Sequence, residues 1–139
     1  DVCSSDLMEA AMPLYGHELN ESIDPITAGL SFACDLDSRD FIGRDAIAKI
    51  KTDGPKQKRI GLLPEGRRPA REGSDVLSAD GQVVGKVVSG GPSPTLGYPI
   101  AMALVDAEHA GDTDFEIDIR GKRSPAKRTK LPFYRRKRS

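Results

Sequence analysis

The sequence predicts an α+β chain in which a largely helical first part is followed by a small antiparallel β-barrel or sandwich. Apolar residues recur every three or four positions in the best helical stretch before position 52, and mostly every second position after it. A polar stretch at 52–58, with Gly54-Pro55 at its centre, separates the two patterns. We therefore predict a domain boundary that divides the chain into residues 1–51 and 52–139.

The first part is predicted to contain two helices, a helical turn and one strand. Asp6 and Glu9 stand in capping-box spacing ahead of good helix formers. Asp24-Pro25 is typical of an N-cap followed by proline in the first turn, and predicts a short helical turn. The apolar run 30–36 favours a strand, whereas residues 40–50 have the spacing and the basic end of the best helix in the chain.

The second part contains short candidate strands separated by turn signals. Turns are predicted around Asp80-Gly81 and Arg120-Gly121. Phe115 and Ile117 would share one strand face, with acidic residues on the other. This spacing is typical of a small antiparallel barrel or sandwich, with six strands at 59–63, 75–77, 83–88, 100–105, 115–119 and 126–130.

Composition limits the chemistry that the chain could perform. Cys3, Cys34, His17 and His109 are its only cysteines and histidines, too few for a disulfide framework, a thiolate zinc site or a His-rich metal cage. The glycine-rich stretch 85–91 lacks the ending of a phosphate-binding loop, and we predict a strand that ends in a tight turn. No apolar run is long enough to span a membrane and no signal peptide is evident, so a cytoplasmic protein is expected.

Charge is distributed unevenly along the chain. All 21 acidic residues lie before position 120, and ten of the 21 basic residues lie in the last twenty positions. Such a tail could bind an acidic or phosphate-rich partner, or it could be a solvated surface that balances the acidic body. The ten residues are Arg120, Lys122, Arg123, Lys127, Arg128, Lys130, Arg135, Arg136, Lys137 and Arg138.

Individual residues offer weaker signals. Cys34 stands among apolar neighbours, which favours a buried and unreactive thiol. His17 has only scattered carboxylates near it, which favours a polar loop over a metal site. Tyr15 and Tyr98 each stand beside glycine, and either could be a stacking platform for a ring ligand or an anchor of its loop.

Ordered blocks of the sequence also carry a family resemblance. The motifs Leu14-Tyr15-Gly16 and Ser89-Gly90-Gly91-Pro92-Ser93-Pro94-Thr95-Leu96 lie within them. Together the blocks resemble the later part of the glycine cleavage system T-protein, an aminomethyltransferase. They cover nearly all of residues 8–134, at 8–19, 23–30, 40–46, 58–98 and 130–133.

The resemblance implies a fold, a reaction and partners. The chain would be the end of a folate-binding α/β domain followed by the family's C-terminal β-barrel. T-proteins take the aminomethyl group carried by lipoylated H-protein, release ammonia and pass the one-carbon unit to tetrahydrofolate. Tetrahydrofolate and lipoylated H-protein are therefore the expected partners, whereas membrane and nucleic-acid partners are not expected.

The resemblance also implies site residues. Tyr15 matches the tyrosine of the family's Leu-Tyr-Gly motif, and Tyr134 stands where relatives place a tyrosine near the C-terminus, so both are candidate tetrahydrofolate contacts. The family's catalytic Asp would lie upstream of residue 1, so no catalytic residue is expected here. Leu7 stands where the family has a substrate-binding Arg, within a leading stretch 1–7 that we interpret as foreign or misjoined sequence. The chain alone is thus expected to be inactive.

Two alternatives use similar sequence features. The chain could be the folate-binding C-terminal part of a dimethylglycine or sarcosine dehydrogenase, which would use the same pocket without lipoylated H-protein. It could also be a folate- or tRNA-binding relative without transferase activity, which would use the basic tail.

Overall fold

The computed structural model describes residues 2–135, with side chains from residue 4 onward. None of the described helices is long and apolar enough to cross a membrane. A 3₁₀ helix spans Ser31–Ala33. The other elements are α1 Val2–Glu9, α2 Arg44–Asp53, β1 Gln57–Pro64, β2 Asp75–Ser78, β3 Val83–Pro92, β4 Pro99–Asp106, β5 Asp114–Ile119 and β6 Lys122–Thr129.

The six strands form a closed barrel in the order β1-β4-β3-β2-β5-β6, with every neighbouring pair antiparallel. All six predicted strands are confirmed, and the barrel rather than the sandwich is the correct architecture. Arg120 and Gly121 have φ of 57° and 81°, as a two-residue hairpin turn requires, and they join β5 to β6 as predicted. The strand predicted in the glycine-rich stretch 85–91 is confirmed, but its turn comes later than predicted, because β3 continues through the glycines to Pro92.

Two apolar clusters lie on opposite sides of the barrel wall. Alternate side chains of the strands fill the interior, including Leu62, Val76 and Ile117, which are fully buried. Strand β4 is buried on both faces, because Ile100 and Met102 point outward beneath the end of α1. The outer cluster therefore joins the barrel to the segment that precedes it.

The segment of residues 2–53 is less regular than predicted. The strand predicted at 30–36 is wrong, since the 3₁₀ helix lies there and 84% of Phe32 is exposed. Helix α1 begins at Val2, so Asp6 lies inside it and is not its N-cap. The described residues 2–53 contain isolated bridges but no strand, so they do not form an α/β domain by themselves.

Two predictions for this segment are confirmed. Asp24 caps a helical turn, because its Oδ1 accepts hydrogen bonds from the backbone N–H groups of Ile26 (2.9 Å) and Thr27 (3.0 Å). Helix α2 occupies Arg44–Asp53, slightly later than the predicted 40–50. It has an acidic residue in its first turn and a basic residue in its last, which complement the helix dipole.

Candidate functional site

A cleft of ≈ 540 Å³ lies between the leading segment and the barrel. We call it the junction cleft. Its walls combine apolar thioethers with a few polar groups, a composition typical of sites for small molecules. The side chains that define it are Met8, Met12, Met102, His17, Glu72 and Ser89.

A carboxylate buried behind the cleft holds one of its walls. Glu18 is fully buried, and it accepts hydrogen bonds from the backbone N–H of Leu14 (2.8 Å) and from the hydroxyl of Ser89 on β3. His17 Nδ1 lies 3.0 Å from a carboxylate oxygen of Glu72, a contact that lacks hydrogen-bond geometry. The prediction that His17 belongs to a polar loop agrees with this placement.

Arg59 on β1 supplies a cation beneath the leading segment. Its Nη1 donates a hydrogen bond to the carbonyl of Ala11 (2.9 Å) and lies 3.6 Å from the sulfur of Met102. Burial lowers the pKa of Arg59, and the negative charge of Glu18 opposes that effect. The buried Nε of Arg59 has no hydrogen-bond partner among residues 2–135.

A second buried carboxylate joins the end of α1 to the loop between β3 and β4. Glu9 is 4% exposed, and it accepts hydrogen bonds from the Ser93 hydroxyl, the Thr95 N–H (3.0 Å) and the Thr95 hydroxyl (2.8 Å). The bond from Ser93 is the largest influence on the Glu9 pKa, and the three bonds together lower that pKa despite the burial. The backbone carbonyl of Glu9 also accepts a hydrogen bond from the N–H of Tyr134 (3.0 Å).

The two predicted tetrahydrofolate contacts lie on the surface. Tyr15 is 77% exposed and pairs by a single bridge with Leu19, whereas Tyr134 is 42% exposed and bonded to Glu9. Neither is among the described residues that line the junction cleft. Cys34 is half-buried rather than buried, with its thiol 3.7 Å from the carbonyl of Leu30.

Sequence reasoning missed the buried polar groups of this junction. Glu9 was noticed only for its capping spacing, while Glu18 and Arg59 gave no signal that separated them from the many surface charges of the chain. Only the packing of distant segments removes them from water.

A basic surface lies at another part of the barrel, where the β1–β2 loop meets the β5–β6 hairpin. A cleft of ≈ 590 Å³ is lined there by four basic residues and by one acidic residue, Glu65; the basic residues are Arg67, Arg68, Lys122 and Arg123. Of these four, only Arg123 forms an ion pair within residues 2–135, at 3.7 Å from Glu116. The predicted basic tail included Lys122 and Arg123, but the prediction missed the two loop arginines. Three other residues of that tail, Arg136, Lys137 and Arg138, lie outside the described residues.

The described residues thus form a closed antiparallel barrel with a short segment attached by buried polar contacts. This defines a β-barrel domain together with the chain that leads into it. Residues 57–135 match the model of the glycine cleavage T-protein C-terminal barrel domain, and the chain belongs to that family. The resemblance found from the sequence is confirmed.

Similar proteins agree with this family. The aminomethyltransferase of Streptomyces avermitilis is 48% identical over 135 residues, covering 93% of this chain and 36% of the relative. That of a Nostoc species is 48% identical over 130 residues, covering 92% of this chain and 34% of the relative. The crystal structure of glycine cleavage system aminomethyltransferase T from Bartonella henselae superposes with a TM-score of 0.87 at 30% identity. The superposition covers 94% of this chain and 37% of that structure's chain. The chain spans about a third of the length of these relatives.

Proposed function

We propose that this chain serves as the C-terminal part of an aminomethyltransferase of the glycine cleavage system. The reaction moves the one-carbon unit of aminomethylated, lipoylated H-protein to tetrahydrofolate and releases ammonia. The observation that supports it best is the extent of the similarity, because 93% of the chain matches the Streptomyces avermitilis aminomethyltransferase, including the leading segment as well as the barrel.

Tyr15 and Tyr134 are the residues that we propose to contact tetrahydrofolate. Tyr15 is 77% exposed and Tyr134 is 42% exposed, so a flat heterocycle could stack on the solvent-facing part of each ring. The backbone of Tyr134 is fixed on Glu9, whereas Tyr15 lies in a loop closed by bonds to Leu14 and Leu19. Their separation from the junction cleft means that the ligand would lie against the surface of this chain and be enclosed by other parts of the enzyme.

Lipoylated H-protein is the partner that we propose for the basic surface. Arginine forks bind carboxylates well, and the side chains of Arg67, Arg68 and Lys122 form no ion pair within the described residues. Attraction of an acidic partner would mainly raise its association rate and would weaken with salt. A nucleic acid is a poorer fit, because no aromatic side chain in the described part of the cleft offers a stacking platform.

A pair of chimeric enzymes tests the proposed reaction. The part of the Streptomyces avermitilis aminomethyltransferase that precedes the matched region would be joined to this chain, once with Leu7 and once with Leu7→Arg. Because an added charged hydrogen bond contributes about 1.5–3 kcal/mol, we expect Leu7→Arg to raise the rate of methylenetetrahydrofolate formation about tenfold to a hundredfold. The readout is turnover of aminomethylated H-protein.

The controls separate the alternatives. The chain alone should bind tetrahydrofolate weakly in a calorimetric titration and should not turn over. A folded Leu7→Arg chimera that binds tetrahydrofolate but cannot use aminomethylated H-protein would contradict the proposal and favour the part of a dimethylglycine or sarcosine dehydrogenase. A chimera that neither binds nor turns over would reject both folate functions.

A further inference from the structure

Glu9, like Glu18, is a buried carboxylate that accepts its hydrogen bonds from neutral donors. Its side chain accepts hydrogen bonds from Ser93 and Thr95, and no cation lies within ion-pair distance of it in the part of the chain that the structure describes. Burial of a charge without a counter-ion costs free energy unless several hydrogen bonds replace the lost water. For Glu9, three hydrogen-bond donors on one carboxylate replace the lost water.

The three donors come from one short loop that has hydrogen bonds of its own. The hydroxyl of Ser93, which donates to Glu9, also accepts a hydrogen bond from the N–H of Leu96 (3.1 Å). The N–H of Ser93 donates to the carbonyl of Tyr98 (3.1 Å), which closes the loop between β3 and β4. The loop that binds Glu9 is therefore itself closed by hydrogen bonds.

The same residue holds the chain that leaves β6. The N–H of Tyr134 donates to the carbonyl of Glu9 at 3.0 Å, and the neighbouring Leu131 and Phe133 pack against the outer apolar cluster, which includes Met8. The carboxylate of Glu9 is thus bonded to the β3–β4 loop, and the carbonyl of the same residue is bonded to Tyr134.

We propose that Glu9 is a positioning residue that fixes Tyr134 against the barrel through the loop at 93–97. The side chain connects three segments that are far apart in the sequence: the end of α1, the β3–β4 loop and the chain after β6. That this placement prepares Tyr134 for tetrahydrofolate rests on the proposed function. The placement itself does not.

A carboxylate suits this role better than an amide. One oxygen of Glu9 accepts from both the Ser93 hydroxyl and the Thr95 N–H, and the other accepts from the Thr95 hydroxyl. In Glu9→Gln the second oxygen becomes an NH₂ group that can only donate, so the Thr95 hydroxyl must reverse its direction. The side chain of Glu9→Gln keeps almost the same shape, but its hydrogen bonds with the β3–β4 loop are weaker.

Hydrogen exchange at the Tyr134 amide tests the proposal, because that amide forms the bond to Glu9. In the 139-residue chain we expect Glu9→Gln to lower the protection of Tyr134 about tenfold, which corresponds to about 1.4 kcal/mol for local opening. The Val87 amide, which donates to Ser74 within the barrel (2.9 Å), should keep its protection. NMR of the exchanging amides measures both.

Glu18→Gln is the matched control. It also neutralises a buried carboxylate, but the side chain of Glu18 bonds to Leu14 and Ser89 and not to Tyr134 in the described structure. Its effect on Tyr134 should be within about twofold. If Tyr134 loses protection equally in both variants, or only together with Val87, general destabilisation explains the result and the proposal is wrong.

Ser93→Ala keeps the test decisive should Glu9→Gln fail to fold. This substitution removes the hydroxyl that donates to Glu9 from the β3–β4 loop, and it should lower the protection of Tyr134 about threefold. Unchanged exchange at Tyr134 in a folded Ser93→Ala chain would also overturn the proposal. Titration with tetrahydrofolate is a separate measurement, so absence of binding would reject the proposed function and leave the exchange result to decide the role of Glu9.

Discussion

The barrel and the leading segment are stabilised by different interactions. Inside the barrel, large apolar side chains such as Leu62 and Ile117 are fully buried and pack against each other. In residues 2–53, large apolar side chains such as Phe32 and Ile42 are exposed, while the carboxylates Glu9 and Glu18 are buried. Apolar burial stabilises the barrel interior, whereas the segment is held both by polar contacts with the barrel and by the outer apolar cluster that includes Met8 and Ala11.

The difference explains why the segment has so little regular structure. Among its described residues, the buried apolar side chains are small or few, with Met8 and Leu36 the largest. Short helices are marginal without packing, and this segment packs mainly at the end of α1. We therefore expect the segment to open while the barrel remains folded.

Gly85 should show the largest effect of substitution, because it tests the closest approach inside the barrel. A Cβ at this position would overlap the carbonyl of Leu104 and the backbone of Val105 on β4. Gly85→Ala should therefore cost more than about 3 kcal/mol and prevent closure of the barrel, since backbone cannot move aside as a side chain can. Urea unfolding followed by circular dichroism measures the cost.

Gly111→Ala is the control for that experiment. Gly111 lies in the turn between β4 and β5, and the described structure leaves open space around a Cβ there. Its free energy of unfolding should change by no more than about 0.5 kcal/mol. Equal effects at the two glycines would show that β3 and β4 are farther apart than described.

Truncation of one apolar side chain in each region sharpens the comparison. Leu62→Ala leaves a cavity in the barrel interior and should cost about 2–5 kcal/mol. Ile42→Ala removes a side chain that is fully exposed in the segment, and should change stability by less than about 0.5 kcal/mol. Chemical denaturation measures both, and a large loss at Ile42 would mean that the segment has an apolar core of its own.

Acid should detach the segment before it unfolds the barrel. The hydrogen bonds of Glu9 hold its folded pKa below the ordinary value of 4.5, so its contribution to stability is present above that pH and is lost as pH falls through the folded pKa. Asp24, whose hydrogen bonds to Thr27 and Ile26 outweigh the effect of burial and lower its pKa, acts in the same direction. We expect this effect to be smaller than those of Gly85→Ala and Leu62→Ala, because acid weakens only the contacts between the segment and the barrel.

Exchange at the Tyr134 and Val87 amides as a function of pH measures this detachment. Protection of Tyr134 should fall first as the solution is acidified, and in Glu9→Gln the acid-dependent part of that fall should be reduced. Simultaneous loss at both amides would show that the segment and the barrel unfold as one unit.

Local patterns were sufficient for much of the fold. The strands predicted at 115–119 and 126–130 were found because polar and apolar residues alternate on β5 and because Arg120-Gly121 is typical of a turn, although β6 begins four residues earlier, at Lys122. Helix α2 and the Asp24 cap also depend on residues a few positions apart. The motifs that resembled the T-protein family are equally local.

Only the tertiary structure determined which polar groups are buried and which apolar runs become strands. The run at 30–36 has suitable residues but no partner strand, so it forms a 3₁₀ turn, whereas β4 pairs on both edges and is covered on both faces. Glu9 is buried because Ser93 and Thr95, more than eighty positions away, supply its hydrogen bonds. Periodicity reports on neighbours in the sequence, but burial and pairing depend on contacts between distant segments, and those contacts also define the candidate site.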